Sequence, residues 1–237
     1  MLACAIPLKT YYGDVARNQR EVIARLKELP SGVRLVVLPE LTLTGYLDDP
    51  SEVASFAEDV QGHTASFFSA LAKRYNAWFV FSFIEQDEGN YYIAALLMNP
   101  NGEIALHQRK MKEKAPFSSG TEVQDCRTPL GNVALLLCGD LFSPEVTSRL
   151  GAGVDILIVP MARCFDGNTP DAERWEREER GVYVEQARRA AARTLVCNAL
   201  GADGNHRDFG GALWIDREQG LLAESPHGTD ELLLAEL

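Results

Sequence analysis

The chain has few of the residues that build metal sites and disulfide frameworks. Among 237 residues there are five cysteines and four histidines. The cysteines (Cys4, Cys126, Cys138, Cys164 and Cys197) are odd in number, irregularly spaced and contain no Cys-x-x-Cys pair. That pattern argues against a disulfide scaffold or a cysteine-ligated zinc module. The scattered His63, His107, His206 and His227 do not supply a metal site either, so no cofactor is expected. Basic residues are also in deficit: 23 Lys and Arg stand against 34 Asp and Glu, a net charge of −11. A surface of that sign repels phosphate backbones and anionic lipids, so neither nucleic acid nor membrane is expected as a partner. No apolar run reaches the roughly 20 residues that span a bilayer. The opening Met1-Leu2-Ala3-Cys4-Ala5-Ile6-Pro7 is too short for a signal h-region and reads as a first strand, which predicts a cytoplasmic protein. Linkers, repeats and low-complexity tracts are absent.

What is present is a hydrophobic fraction of 46%, enough to drive folding, over a length that suits one large α/β domain, residues 1–237. Apolar, β-branched runs predict strands at 2–6, 34–38, 78–83, 91–98, 103–107, 133–137, 155–159, 194–198, 212–215 and 221–223. Helical periodicity predicts helices at 15–29, 64–75 and 172–192. Asn99-Pro100-Asn101-Gly102 and Asp216-Arg217-Glu218-Gln219-Gly220 read as hairpin turns. Strands and helices mixed along one chain imply a mixed sheet layer covered by helices. The pattern alone does not reveal two stacked sheets.

Three segments run from an apolar strand into a chemically capable residue: Val36-Val37-Leu38-Pro39-Glu40, Gln108-Arg109-Lys110-Met111-Lys112 and Leu136-Leu137-Cys138-Gly139-Asp140. They supply a carboxylate, an ammonium and a thiol. A free thiol is mostly protonated near neutral pH and needs a base to become a nucleophile. Glu40 can serve if burial tunes it, and a lysine between the two offsets both negative charges and reaches a developing oxyanion. Each residue taken alone also has a plainer reading. Cys138 is a small buried hydrophobe, Glu40 a strand-end carboxylate, and Lys110 part of a solvated cationic stretch.

The wider pattern resembles the nitrilase, or carbon-nitrogen hydrolase, superfamily. Leu38-Pro39-Glu40-Leu41-Thr42-Leu43-Thr44-Gly45-Tyr46 resembles that family's catalytic-glutamate segment, and Arg109-Lys110 its catalytic-lysine segment. Glu113-Lys114-Ala115-Pro116-Phe117-Ser118-Ser119-Gly120 keeps its Glu-x-x-x-Phe-x-x-Gly spacing, and Cys138-Gly139-Asp140-Leu141-Phe142-Ser143-Pro144-Glu145 its nucleophile segment. Gly13-Asp14-Val15 with Asn18, Asn198-Ala199-Leu200-Gly201 and Gly210-Gly211-Ala212 extend the resemblance over nearly the whole chain. Three departures leave the subfamily open. Gly139 stands where an aromatic residue is common, Ile93 where Asn is common, and Gln186-Ala187-Arg188-Arg189-Ala190 fits the late-helix pattern poorly.

The resemblance implies an α/β fold of the four-layer α-β-β-α sandwich type, commonly paired into homodimers. It implies a small-molecule amidase in which Cys138 attacks, Glu40 moves protons, and Lys110 with the Gly139 N–H holds the oxyanion. Glu113 is expected to orient the lysine or the substrate amine. A nitrile would enter by the same attack, and a nitrilase, an N-carbamoyl amide hydrolase or a catalytically silent homologue are the alternatives. Arg163 follows the strand at 155–159, in a loop that borders the substrate pocket of the resembled family. A guanidinium there can hold a substrate carboxylate. The plainer reading is a surface arginine paired with Asp166 or Glu173.

Overall fold

The computed structural model describes residues 1–165, 170–201 and 208–237. Two six-stranded sheets make its centre. Numbered in chain order, the first sheet runs β14 (Leu233–Glu236), β1 (Leu2–Ala5), β3 (Val33–Val37), β4 (Trp78–Asp87), β5 (Asn90–Met98) and β6 (Ile104–Arg109). The second runs β13 (Gly220–Ser225), β12 (Ala212–Asp216), β10 (Arg193–Asn198), β9 (Ile156–Met161), β8 (Gly131–Leu135) and β7 (Asp125–Thr128). A short parallel pair, β2 (Lys9–Thr10) with β11 (Leu200–Gly201), stands apart. In each sheet the central strands are parallel and the flanking ones antiparallel.

Alternation along the strands explains the layering. In β4, Val80 and Ile84 face the second sheet, whereas Phe79, Phe81 and Phe83 face helices. In β9, Ile156 and Ile158 face the first sheet, whereas Leu157 and Val159 face the helices on the other side. Strands covered on both faces carry no polar side, which is why they read as continuous apolar runs. Three apolar cores result. Helices α1 (Val15–Leu26) and α3 (His63–Tyr75) cover the first sheet with Val22, Leu26, Phe68 and Leu71. Outside the second sheet, the short α4 (Pro144–Thr147) and the helical run of α5 (Ala172–Arg174), a π-turn (Trp175–Glu179) and α6 (Arg180–Ala190) contribute Val146, Trp175, Tyr183 and Ala187. This is the expected α-β-β-α sandwich.

Some boundaries differ from expectation. The first helix stops at Leu26 because the Lys27 and Glu28 N–H groups turn back to Ala24 and Arg25, just ahead of Pro30, which disfavours helix at Leu29. The last helix is interrupted by its π-turn and ends at Ala190. A helix the periodicity did not predict, α2 (Pro50–Phe56), is capped by Asp49, whose carboxylate accepts the Ser51 and Glu52 N–H groups, with Pro50 at its first turn. Both turns predicted to join strands do so, between β5 and β6 and between β12 and β13. None of the described helices is long and apolar enough to cross a membrane.

Candidate active site

The site lies where β3, β6, β8 and β9 end. All four strands point the same way within their sheets, so their carboxyl ends gather at one edge of the sandwich, the usual position of ligand sites in such sheets. Glu40 and Lys110 come from the first sheet; Cys138, Ala162 and Arg163 come from the second.

Glu40 is fully buried and bridges the sheets. Its N–H donates to the Met161 carbonyl at 3.2 Å, and its Oε2 accepts the Ala162 N–H at 3.1 Å. Leu41 follows with φ of 49°, an uncommon left-handed conformation for a residue with a branched side chain. The turn is held by the Thr42 hydroxyl, which donates to the Pro39 carbonyl at 2.6 Å. It is also held by Asn18, whose Nδ2 donates to the Leu43 carbonyl at 2.8 Å. Gly45 closes the turn against the Tyr12 ring; a Cβ there would stand 2.4 Å from a ring carbon, so a side chain is excluded.

Lys110 sits between two carboxylates. Its Nζ lies 2.9 Å from Glu40 Oε1 and 2.5 Å from Glu113 Oε2. The Glu40 contact is an ion pair without hydrogen-bond geometry, so Oε1 keeps a free lone pair. Burial alone would push the ammonium's pKa down, but Glu40, Cys138 and Glu113 together carry it above the ordinary lysine value. Two steps along, Lys112 has turned outward: its side chain is 52% exposed and pairs with Glu145 at 2.7 Å.

Cys138 opens a 3-10 turn (Cys138–Phe142) with φ of 46°. Burial pushes its thiol up to about 12, with the Glu40 charge acting in the same direction; Lys110, the Ala162 N–H and Arg163 oppose them. The thiol is therefore protonated at neutral pH until a base acts on it. Gly139 follows on the cavity wall, with nothing within 4 Å of the place a Cβ would take.

These groups open into a cavity of about 560 Å³ lined by Tyr12, Tyr46, Lys110, Glu113, Cys138 and Arg163 among others. All six residues expected from the sequence meet in or directly behind this cavity. The second partner suggested for Arg163, Glu173, is paired with Arg177 instead at 2.8 Å; Asp166, like His206, lies outside the described residues. Among the described residues no group of three or more His, Cys, Asp or Glu is placed to hold a metal ion.

Three contributors were not foreseen. Asp140 is fully buried and accepts the N–H groups of Met111 at 2.9 Å and Lys112 at 3.1 Å. Burial raises its pKa to about 6 against the pull of the Met111 N–H, Lys110 and the Lys112 N–H. Tyr46 places its ring 5.4 Å from the Lys110 ammonium and lies near Glu113. Backbone N–H groups such as that of Ala162 leave no sequence signal, but Asp140 and Tyr46 do: both stand at fixed places in the segments that carry Cys138 and Glu40.

A thiol, a buried carboxylate and a doubly paired ammonium around one cavity are the groups that cysteine-based acyl transfer requires. The carbon-nitrogen hydrolase family model matches residues 4–237, and the chain belongs to that family. It is 25% identical over 231 residues to a formamidase of Pseudomonas syringae pv. tomato, covering 94% of this chain and 65% of that protein, just under two thirds of its length. It is 26% identical over 226 residues to an (R)-stereoselective amidase of Pseudomonas sp., covering 93% of this chain and 78% of the relative. Among solved structures, the fold is shared with a mutant amidase from Nesterenkonia sp. AN1 that carries the acetamide moiety of fluoroacetamide on its active-site cysteine. The TM-score is 0.83 at 22% identity, covering 100% of this chain and 90% of that one.

Proposed function

We propose that the chain, folded as one catalytic domain over residues 1–237, hydrolyses small-molecule amides through a thioester on Cys138. The observation that carries this reading is the Lys110 ammonium, held between Glu40 and Glu113 on the wall of the cavity that contains Cys138. Glu40 Oε1, with its free lone pair, takes the thiol proton as Sγ attacks the amide carbon. The new oxyanion is met by Lys110 and the Gly139 N–H. Glu40 returns the proton to the departing nitrogen, ammonia or an amine leaves, and Glu40 then activates the water that cleaves the thioester. Glu113 fixes the ammonium and faces the leaving nitrogen.

The names of the relatives, formamidase and amidase, support an amide as substrate. The cavity, about 560 Å³, is far larger than formamide needs and falls in the range of drug-sized ligand pockets, which supports a longer acyl group. The net negative charge and cysteines that form no disulfide among the described residues support a cytoplasmic protein, and the resemblance to paired sandwiches supports a homodimer, a state that sedimentation would measure.

The test is incubation with a panel of amides, nitriles and N-carbamoyl compounds. It is read by released ammonia and by intact mass after a denaturing quench. An acyl adduct that disappears in Cys138→Ala, with ammonia release, is the expected result. No adduct and no ammonia across the panel would leave a catalytically silent binding protein.

A further inference from the structure

Arg163 lines the cavity but has neither a part in the catalytic scheme nor, among the described residues, an ion-pair partner. The cavity's lysines are engaged: Lys110 by Glu40 and Glu113, Lys112 by Glu145. The Arg163 Nε is buried without a hydrogen-bond acceptor among the described residues. An Nε that has left water without gaining an acceptor is poorly satisfied; Tyr183, Cys138 and Glu179 nearby favour the charge without forming an ion pair, and Glu179 is engaged by Arg174 at 3.2 Å.

Its position is also fixed from behind. The Arg163 N–H donates to Asn198 Oδ1 at 2.7 Å, and its carbonyl accepts from Asn198 Nδ2 at 3.1 Å and from the Phe209 N–H at 3.1 Å. The guanidinium stacks over the Phe142 ring at 4.9 Å, on the turn that carries the nucleophile. The Tyr183 hydroxyl lies beside it without closing a hydrogen bond. Backbone clamp and aromatic shelf together leave the fork of donors little freedom, the condition under which arginine recognises a carboxylate in two-point fashion.

The layout says which end of the substrate reaches it. Lys110 and Glu113 enter the cavity from the loop after β6, and with Glu40 they handle the oxyanion and the leaving nitrogen. Arg163 enters from the loop after β9, on the opposite sheet from Lys110 and Glu113 and over the Phe142 ring of the Cys138 turn, and it is on this side that we place the acyl chain. The cavity's own acids do not compete: Glu40 and Glu113 belong to Lys110, Asp208 accepts the Tyr12 hydroxyl at 2.5 Å, and Asp48 is at the exposed rim.

We propose that Arg163 binds a carboxylate at the far end of the acyl chain, so that the preferred substrates are the monoamides of short dicarboxylic acids. The inference rests on the amidase reading above. The reaction adds water to the amide and releases the dicarboxylate and ammonium, and charge balances at one negative before and after.

The experiment compares kcat/KM for succinamate and glutaramate with that for butyramide and pentanamide, in the wild type, Arg163→Met and Arg163→Lys. The wild type should favour the charged amides. Arg163→Met should lose roughly 10- to 100-fold more on them than on the neutral amides, the worth of hydrogen bonds to a charged partner, with circular dichroism and thermal melting showing that the variant is folded. Arg163→Lys should recover part of the loss. Calorimetry of succinamate binding to Cys138→Ala, with and without Arg163→Met, reads the same contact without turnover. Equal losses on both classes, or no difference in succinamate binding, would overturn the assignment. Absence of turnover on every amide with the binding difference intact would instead sink the amidase reading and leave the carboxylate site standing.

Discussion

The N–H of Met111 donates to Asp140 Oδ2 at 2.9 Å. With the neighbouring bond from Lys112 it ties the loop that carries the lysine to the turn that carries the cysteine. The two segments come from different sheets, and this carboxylate holds them together. Asp140→Asn keeps one acceptor oxygen and replaces the other with a donor. It is expected to lower kcat by about tenfold or more, the cost of one misplaced hydrogen bond at a charged acceptor, with KM little changed. A fall confined to KM would show that Asp140 acts on substrate binding instead.

Glu40 and Lys110 pull the Cys138 thiol in opposite directions. Removing the carboxylate charge by Glu40→Gln should therefore lower the thiol's titration midpoint from about 12, even as turnover is lost. Lys110→Met should raise it. Ultraviolet thiolate absorbance, taken as the difference from Cys138→Ala in each background, reads both. Shifts of the same sign would contradict the arrangement.

The two lysines of this loop should behave differently. Lys110→Ala is expected to cost roughly 3 kcal/mol in kcat/KM, as loss of an oxyanion donor does. Lys112→Ala removes only an exposed pair with Glu145, worth at most about 1 kcal/mol, and should change kcat/KM by a few-fold at most. Steady-state kinetics of the two variants checks the register; comparable losses would place the catalytic ammonium at the wrong residue.

Stability at low pH should depend on Glu85. Its carboxylate is buried, yet Arg109 and His107 outweigh that burial and hold it near 2, below the reference 4.5. Arg109 grips both oxygens at 2.8 Å and also reaches Asp87 at 2.7 Å. A depressed carboxylate stabilises the fold above its unfolded pKa and loses that contribution as pH falls through the folded one. Glu85→Gln is therefore expected to destabilise at neutral pH by about 2 kcal/mol, less than a fully buried broken pair because Arg109 keeps Asp87. The difference from wild type should shrink between pH 4.5 and 2 in denaturant titrations. A difference that stays constant over that range would rule the ion pair out as its source.

The central strands were legible because burial on both faces leaves runs such as Val133-Ala134-Leu135-Leu136-Leu137 without a polar interruption. The same property hid the layering: alternation between two apolar environments looks like no alternation, so the second sheet came only with the family resemblance. The edge strands β6 and β13 were expected at 103–107 and 221–223, but the edge strand β7 was missed for the opposite reason. Asp125-Cys126-Arg127-Thr128 forms β7 with exposed, polar positions, and its pairing with β8 supplies what its composition does not. Of the proposed catalytic set, Glu40 and Cys138 were readable because each ends an apolar run, whereas Lys110 follows the polar His107-Gln108-Arg109 and was carried by the family resemblance. The supports of this set were less readable: Asp140 looks like a loop acid until two backbone N–H groups are seen to converge on it. Arg163 could be placed in a loop from sequence, but the clamp by Asn198 joins residues 35 apart.

The proposed base and nucleophile, Glu40 and Cys138, follow strands of opposite sheets, joined at the seam where Glu40 and Ala162 meet. Catalytic alignment is thus a measure of how the two sheets are registered on each other. A void opened between them, as by Leu135→Ala, can slide one plate past the other by a fraction of a bond length while both remain intact. Turnover would then fade on heating before circular dichroism reports any loss of strand, which makes activity the finer gauge of whether the sandwich is closed.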